Sequence, residues 1–339
     1  IFIKDHMVMD VCSILGSYNT KLSYEEIVRQ NLIMSYRGPD NSSVSEYKLN
    51  NKDLFLGHNR LSIQDLATHA NQPMENEKYS IVFNGEVYNH FEIREKLQYK
   101  SFKTTSDTET LLWAFTELGI ELAIEKFIGM FAIGLFDKIE NKIYLIRDRV
   151  GIKPLYWTLQ NQEFAFSSEL KGFSNHLKQN KNNQALVQFM SLGYIPNNNS
   201  YYRDIKKLKP AHYLVFDGQN VDIKRYWDLP KETISISYDE AVEEAEKLIR
   251  SSIKYRLLAD VEVGSFLSGG IDSSLVSAIM QQESNKRIKT FSIGFEDKRY
   301  DESVYAKEVA NHIGSEHFEY NFKADDVINL IEKLVYHFD

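Results

Sequence analysis

Along the first half of the chain, apolar residues come in short runs that close on Asn, Gly or Asp. YSIVFNGEVYN (79–89) and GMFAIGLFD (129–137) are two such runs, apolar and rich in β-formers, and both predict sheet strands. NKIYLIRDR (141–149) follows the second, and the polar stretch 138–142 between them predicts a hairpin turn. A helical spacing takes over in DTETLLWAFTELG (107–119), with an acidic first turn and a glycine behind the last one. The Asn-rich pieces NKNN (180–183) and NNNS (197–200) read as loops. Past RYWDLP (225–230) the texture changes. A long amphipathic helix over 237–260 leads to a strand over 261–267, a helix over 272–283, a strand over 288–295 and a helix over 302–314. Strand–helix alternation of this kind predicts a parallel sheet with helices on both faces. A domain boundary is placed between 215 and 238, and no internal repeat is visible.

A length of 339 residues agrees with two domains, and 43% hydrophobic with 26% charged residues describes an ordinary globular chain. The balance of 40 Lys and Arg against 48 Asp and Glu gives a net charge of −8 without long blocks of one sign. That argues against nucleic acid as a partner, because such a groove needs a basic stripe to displace counterions. Small anions stay open, since backbone amides bind them. The chain's one cysteine, Cys12, has no internal partner, so nothing points to an oxidising compartment. No apolar run approaches the roughly 18 residues of a membrane span, and residues 1–11 carry Lys4, Asp5 and Asp10, a poor secretory signal. The expected location is the cytoplasm. Nine histidines without an H-E-x-x-H pattern give no protein-ligated zinc.

Two stretches carry chemistry. SFLSGGIDSS (265–274) follows a strand and opens a helix. Its glycines allow a tight turn and close approach, its serines offer hydroxyls, and the helix start aims free N–H groups at an anion. It has no lysine, so it is not an ordinary P-loop. Asp272 would repel phosphate unless Mg²⁺ lay between them. The loop resembles the pyrophosphate-binding motif of ATP-pyrophosphatase enzymes. The resemblance implies that Ser268, Gly269, Gly270, Asp272, Ser273 and Ser274 hold the leaving pyrophosphate with Mg²⁺, and that Leu267 and Ile293 contact the adenosine part of ATP.

The second set is a series of polar islands: SYRGPD (35–40), GHNRLSIQD (57–65), FNGEVYN (83–89) and TSDTE (105–109). In number and order these resemble the glutaminase domain of class II glutamine amidotransferases, N-terminal-nucleophile hydrolases with an αββα sandwich. With the glycine loop behind them, and with DRVGIKPLYW (148–157), FSSELKGF (166–173) and RYWDL (225–229), the chain resembles the glutamine-hydrolysing asparagine synthetase family. The implied layout is an extension over 1–11, a glutaminase domain over 12–215, and an α/β parallel-sheet ATP-pyrophosphatase domain over 238–339. The resemblance assigns Cys12 as nucleophile, and Asn84 with the Gly85 amide as oxyanion hole. Arg60 is to meet the glutamine carboxylate and Asp107 its ammonium, with Leu61, Ser62, Ile63, Gln64 and Glu86 completing the pocket. Taken singly, Arg60 and Asp107 also read as surface ion-pair members, and Asn84–Gly85 as a hairpin turn. His58 and His90 receive no role.

In this class the cysteine is the first residue and its own α-amine serves as base. Here Val11 occupies that amine in a peptide bond, which leaves three alternatives: initiation at a GUG codon read as Val11, processing of a short leader, or loss of glutaminase activity. The family's second domain continues past residue 339, so a shortened chain with an exposed sheet edge and little complete turnover is expected. The implied reaction joins glutamine-derived ammonia to aspartate activated by ATP. The partners are thus glutamine, aspartate and ATP, with a homodimer left open. Amidation of a sugar acid in surface-polysaccharide synthesis, and a non-catalytic glutamine- or nucleotide-binding remnant, are the alternatives.

Overall fold

The computed structural model of the chain describes residues 12–338; the expected 1–11 extension lies outside them. Two compact units meet in sequence at Pro230 and Lys231. In the first, the strands are β1 (Ser13–Tyr18), β2 (Asn41–Leu49), β3 (Lys52–Arg60), β4 (Met74–Glu75), β5 (Tyr79–Val87), β6 (Gly129–Asp137), β7 (Lys142–Arg147), β8 (Tyr156–Gln160), β9 (Glu163–Ser167), β10 (Lys206–Lys207), β11 (His212–Phe216) and β12 (Val221–Arg225). The helices are α1 (Tyr24–Leu32), α2 (His90–Lys96), α3 (Asp107–Leu118), α4 (Ile120–Lys126) and α5 (Asn183–Leu192). Two six-stranded sheets result, in the orders β10-β8-β9-β1-β3-β2 and β12-β11-β7-β6-β5-β4.

Strand alternation shows why the sheets stack. In β3, Leu54 and Leu56 point into the space between the sheets, while Phe55 packs outward with Leu15, Ile27 and Met34 beneath α1. In β6, Ala132 and Phe136 face the inter-sheet core, while Phe131, Ile133 and Leu135 pack with Leu111, Leu112 and Phe115 of α3. β3 and β6 are therefore buried on both faces over most of their length, which makes the run of β6 nearly continuously apolar. Phe166 is wedged in the middle. Side chains at Gly16 or Gly134 would reach within 2.0 and 2.5 Å of its ring, so both glycines are space for that phenyl group. The layers run helix, sheet, sheet, helix: the αββα sandwich.

Helix α5 begins inside NKNN, a stretch whose composition is that of a loop. Asn182, inside NKNN, caps it by accepting from Ala185 N–H, and Gly193 closes it in the left-handed conformation.

The second unit holds a parallel sheet, β13 (Gly264–Phe266), β14 (Lys289–Phe295) and β15 (Glu316–Phe322), in that order. Its helices are α6 (Tyr238–Arg256), α7 (Ile271–Glu283), α8 (Ser303–Ile313) and α9 (Ala324–Phe338). A capping box between Ser237 and Glu240 starts α6. β13 is shorter than the run 261–267 suggested. β15 was not anticipated at all, because EHFEYNF is an exposed edge strand with charges on it.

Candidate active site

Cys12 stands one residue ahead of β1, whose Ser13 pairs with Asn59 of β3. That register lays the thiol beside the chain leaving β3. Leu61 N–H donates to Cys12 Sγ at 3.3 Å, and the thiol reaches the Leu61 carbonyl at 3.7 Å. From the other sheet, β5 brings Gly85 and Glu86, and the first residue of α3 is Asp107. Cys12, Arg60, Leu61, Ile63, Gln64, Gly85, Glu86 and Asp107 line one small pocket, together with Gln72, Phe83, Ser106 and Thr108. Ser62 does not line it, and its amide is already donated to Asp40 Oδ2 at 2.7 Å.

Asn84–Gly85 is not a turn. Both lie inside β5, where Asn84 opposes Ala132 and Gly85 opposes Phe131. Gly85 has φ +149°, and a Cβ there would lie 2.0 Å from the Met130 carbonyl oxygen, so only glycine fits. Asn84 is completely buried, and neither its amide oxygen nor its amide nitrogen has a hydrogen-bond partner among the described residues. An orphaned buried amide costs about 1–3 kcal/mol, which makes it a candidate to bond something the pocket admits.

Arg60 is no surface ion-pair member. It is 5% exposed, and its terminal nitrogens donate to the carbonyls of Ala67 (2.8 Å), Gln64 (3.3 Å) and Asp65 and to Asn71 Oδ1 (2.8 Å). These bonds brace the loop after β3, yet all acceptors are neutral, and Arg60 makes no ion pair among the described residues. Its charge remains available to an anion. Burial holds its pKa below the usual value, opposed in part by the negative charges of Cys12, Asp65, Asp40 and Asp107.

Asp107 is 4% exposed and accepts from Val87 N–H at 2.9 Å; Glu86 is 8% exposed and accepts from Gln64 Nε2 at 2.7 Å. Burial pushes Asp107 up to about 6. Glu86 is driven well above the carboxylate range by burial and then by the Asp107 charge, with Lys153 opposing. Two buried carboxyls facing one pocket fit a cationic ligand group. Burial also pushes the Cys12 thiol up to about 11. A thiol of that pKa is roughly one part in ten thousand thiolate at neutrality, so the nucleophile needs a base.

Lys153, Arg37 and Glu169 are the residues sequence reasoning passed over, although each lies inside a quoted island. Lys153 is 5% exposed, and burial lowers it to about 8. Arg37 Nε donates to the Cys12 carbonyl at 3.4 Å. His58 and His90 are both fully buried and pushed down to about 3 by burial, hence neutral; both His90 nitrogens lack partners among the described residues.

In the second unit, Gly270 caps α7, and Gly269 has φ +83° with a would-be Cβ 2.6 Å from Tyr305 Cβ. Ser268 and Ser273 hydroxyls meet at 3.0 Å, and Ser274 Oγ is buried without a partner among the described residues. Asp272 is exposed in the first turn. Leu267 is 1% exposed and packs on Ala306 and Ala310, whereas Ile293 is 37% exposed. Among the described residues no cluster of three or more His, Cys, Asp or Glu could hold a metal, and no helix is long and apolar enough to cross a membrane.

The glutamine amidotransferase domain family matches residues 11–227, and the asparagine synthase family matches 244–339. A Methanocaldococcus jannaschii protein named "Putative asparagine synthetase (glutamine-hydrolyzing) 2" is 36% identical over 97% of this chain and 68% of its own length. "Asparagine synthetase (glutamine-hydrolyzing) 1" of Bacillus subtilis is 35% identical over 97% of this chain and 53% of its own, so the chain spans about half of that relative. A solved structure described as the allosteric regulatory enzyme of purine biosynthesis aligns over 94% of this chain and 91% of its own with a TM-score of 0.50; at 12% identity that is a likeness of fold alone.

Proposed function

The chain belongs to the glutamine amidotransferase family, and from that premise we propose that it hydrolyses glutamine at Cys12 and passes the ammonia to aspartate activated by ATP. One observation carries the first half. A thiol, a guanidinium and two buried carboxyls line one pocket, with a buried amide in the strand beneath; among the described residues the guanidinium has no ion pair and the amide no hydrogen bond. That set is complementary to a zwitterion that also carries an amide.

Arg60 takes the α-carboxylate of glutamine and Asp107 its α-ammonium, which also favours ionisation of the Glu86–Asp107 pair. The α-amine of Cys12, free when Cys12 is the first residue, accepts the thiol proton; its ordinary pKa of about 7.7–8.0 suits the task. Sulfur attacks the side-chain carbonyl, and the oxyanion meets Asn84 Nδ2 and the Gly85 amide. The C–N bond breaks, ammonia leaves with the proton, and water cleaves the thioester to glutamate. In the second unit, the aspartate side-chain carboxylate attacks the α-phosphorus of ATP. Pyrophosphate departs toward Ser268–Ser274, and ammonia displaces AMP from the acyl-adenylate. The donor set fits Mg²⁺ carried by the ATP phosphates with Asp272 as a protein ligand, rather than a cage made by the protein alone; bound there, Mg²⁺ would neutralise the phosphate charge. The relatives' names support aspartate as acceptor.

The test is ammonia release from glutamine by the chain with Cys12 first. Asn84→Ala should lower kcat by about 10²–10³-fold, and an unchanged kcat would remove Asn84 from the oxyanion hole. Growth of an asparagine auxotroph carrying the complete gene tests the acceptor.

The carboxyl pair fixes the pH dependence. Protonation of Asp107 removes the charge the ammonium needs, so KM for glutamine should climb below pH 6, approaching roughly tenfold per pH unit. Stability without glutamine has the opposite sign. The folded pKa lies above the unfolded one, so between about pH 4 and 6 the folded chain binds more protons, and this carboxyl favours folding more as pH falls. A KM flat from pH 7 to 5 would contradict the assignment.

A further inference from the structure

We propose that Glu169 is a positioning residue for the nucleophile: its carboxylate fixes Arg37 against the Cys12 carbonyl and thereby sets where the thiol points. The proposal rests on the glutaminase reading above.

Glu169 lies just past β9, whose neighbour β1 begins beside Cys12. Ser168, next to it, clamps Ile14 in both directions: Ile14 N–H donates to Ser168 Oγ and Ser168 N–H to the Ile14 carbonyl, each at 3.0 Å. The end of β9 therefore holds the start of β1. From that base the Glu169 carboxylate reaches across to the segment after α1. Oε1 accepts from Arg37 Nη1 at 2.7 Å, and Oε2 accepts from Tyr36 Oη at 2.5 Å. Lys171 Nζ lies 3.3 Å from Oε2 and donates to Tyr36 Oη at 2.9 Å. The Arg37, Lys171 and Glu169 side chains are only 13%, 13% and 9% exposed.

A guanidinium is a rigid planar fork, so pinning Nη1 also aims Nε. Nε is the atom that donates to the Cys12 carbonyl, at 3.4 Å. Cys12 thus has two tethers, Arg37 on its carbonyl and Leu61 on its sulfur. With the carboxylate gone, Arg37 is free to turn and the first tether slackens. Attack on an amide demands alignment, and a misplacement near 1 Å costs about a hundredfold. The Leu61 amide still donates to the sulfur at 3.3 Å, so the thiol's own reactivity toward a small reagent is retained. Attack on glutamine is sensitive to alignment and alkylation by a small reagent is not, and that separates positioning from general damage.

The experiment uses the full chain with Cys12 first, and wild type is measured before any variant. Glu169→Gln keeps the shape and removes the charge. The expected result is a glutamine kcat lower by about 10- to 100-fold, KM within about twofold of wild type, and an unchanged iodoacetamide alkylation rate of Cys12, the chain's one thiol. A folded Glu169→Gln with wild-type kcat overturns the proposal, as does one in which kcat and alkylation fall together. If Glu169→Gln does not fold, Tyr36→Phe decides, since it deletes the 2.5 Å bond and keeps every charge. A lower kcat at unchanged KM supports the role of Glu169, and a wild-type kcat overturns it. Should wild type itself release no ammonia, the glutaminase reading fails; an active wild type with an unaffected variant overturns only Glu169.

Discussion

Cys12→Ala should reduce glutamine-dependent ammonia release by about a thousandfold or more, to background, in a chain that still folds. The size follows from the chemistry of a covalent nucleophile, whose removal leaves only binding and the oxyanion hole to act on water. No second thiol exists to take over, because the chain has one cysteine. The fold should tolerate the change. Among the described residues the lost sulfur bonds Leu61 alone, through its amide at 3.3 Å and its carbonyl at 3.7 Å, at a half-buried position ahead of β1, so the stability change should stay near 1 kcal/mol. Parallel measurement of ammonia release and thermal unfolding checks both halves. The same reasoning bears on Val11. A peptide-bonded Cys12 keeps its sulfur but has no basic amine, and with a thiol pushed up to about 11 it should hydrolyse glutamine poorly.

Gly85→Ala should be the most damaging single methyl group in the first unit. The added carbon would sit 2.0 Å from the Met130 carbonyl oxygen and 2.7 Å from Phe131 Cα, on a residue with φ +149°. These are backbone atoms of the paired strand β6, which cannot swing aside as a flexible side chain could. Overpacking and left-handed strain together should cost about 2–5 kcal/mol. Because Asn84 and Glu86 flank the position, β5 would move with its pocket atoms, and kcat should fall about a hundredfold or more even at temperatures where the chain stays folded. Unfolding midpoint and kcat on the same preparation read the two effects separately. An alanine variant of wild-type stability would contradict the close approach of β6 to Gly85.

How much of this was legible in the sequence depended on what kind of contact was involved. Strands 79–87 and 129–137 announced themselves because both faces are buried and both runs are apolar. β15 did not, since an edge strand with Glu316, His317 and Glu319 looks like surface. Helix α5 was hidden for a related reason: Leu186, Val187, Phe189 and Met190 are all exposed, so its apolar residues trace no buried stripe, and its cap sits in an Asn-rich stretch. At the site, residue types and family islands pointed to Cys12, Arg60, Gly85, Glu86 and Asp107, which do meet in one pocket. The turn reading of Asn84–Gly85 failed because a dipeptide common in hairpins is also what a close strand crossing demands. Arg37 and Glu169 were missed for a plainer reason. They are 132 residues apart in sequence, and no local pattern records a pair that only folding brings together.

The central claim is that Cys12 carries the glutamyl group during turnover. The most direct measurement is mass spectrometry of the chain with Cys12 first, acid-quenched while it hydrolyses isotopically labelled glutamine. A labelled glutamyl thioester on the peptide containing Cys12, absent from Cys12→Ala, is the predicted result. Glutamine hydrolysis that persists in Cys12→Ala, with the label on another residue or on none, would contradict it.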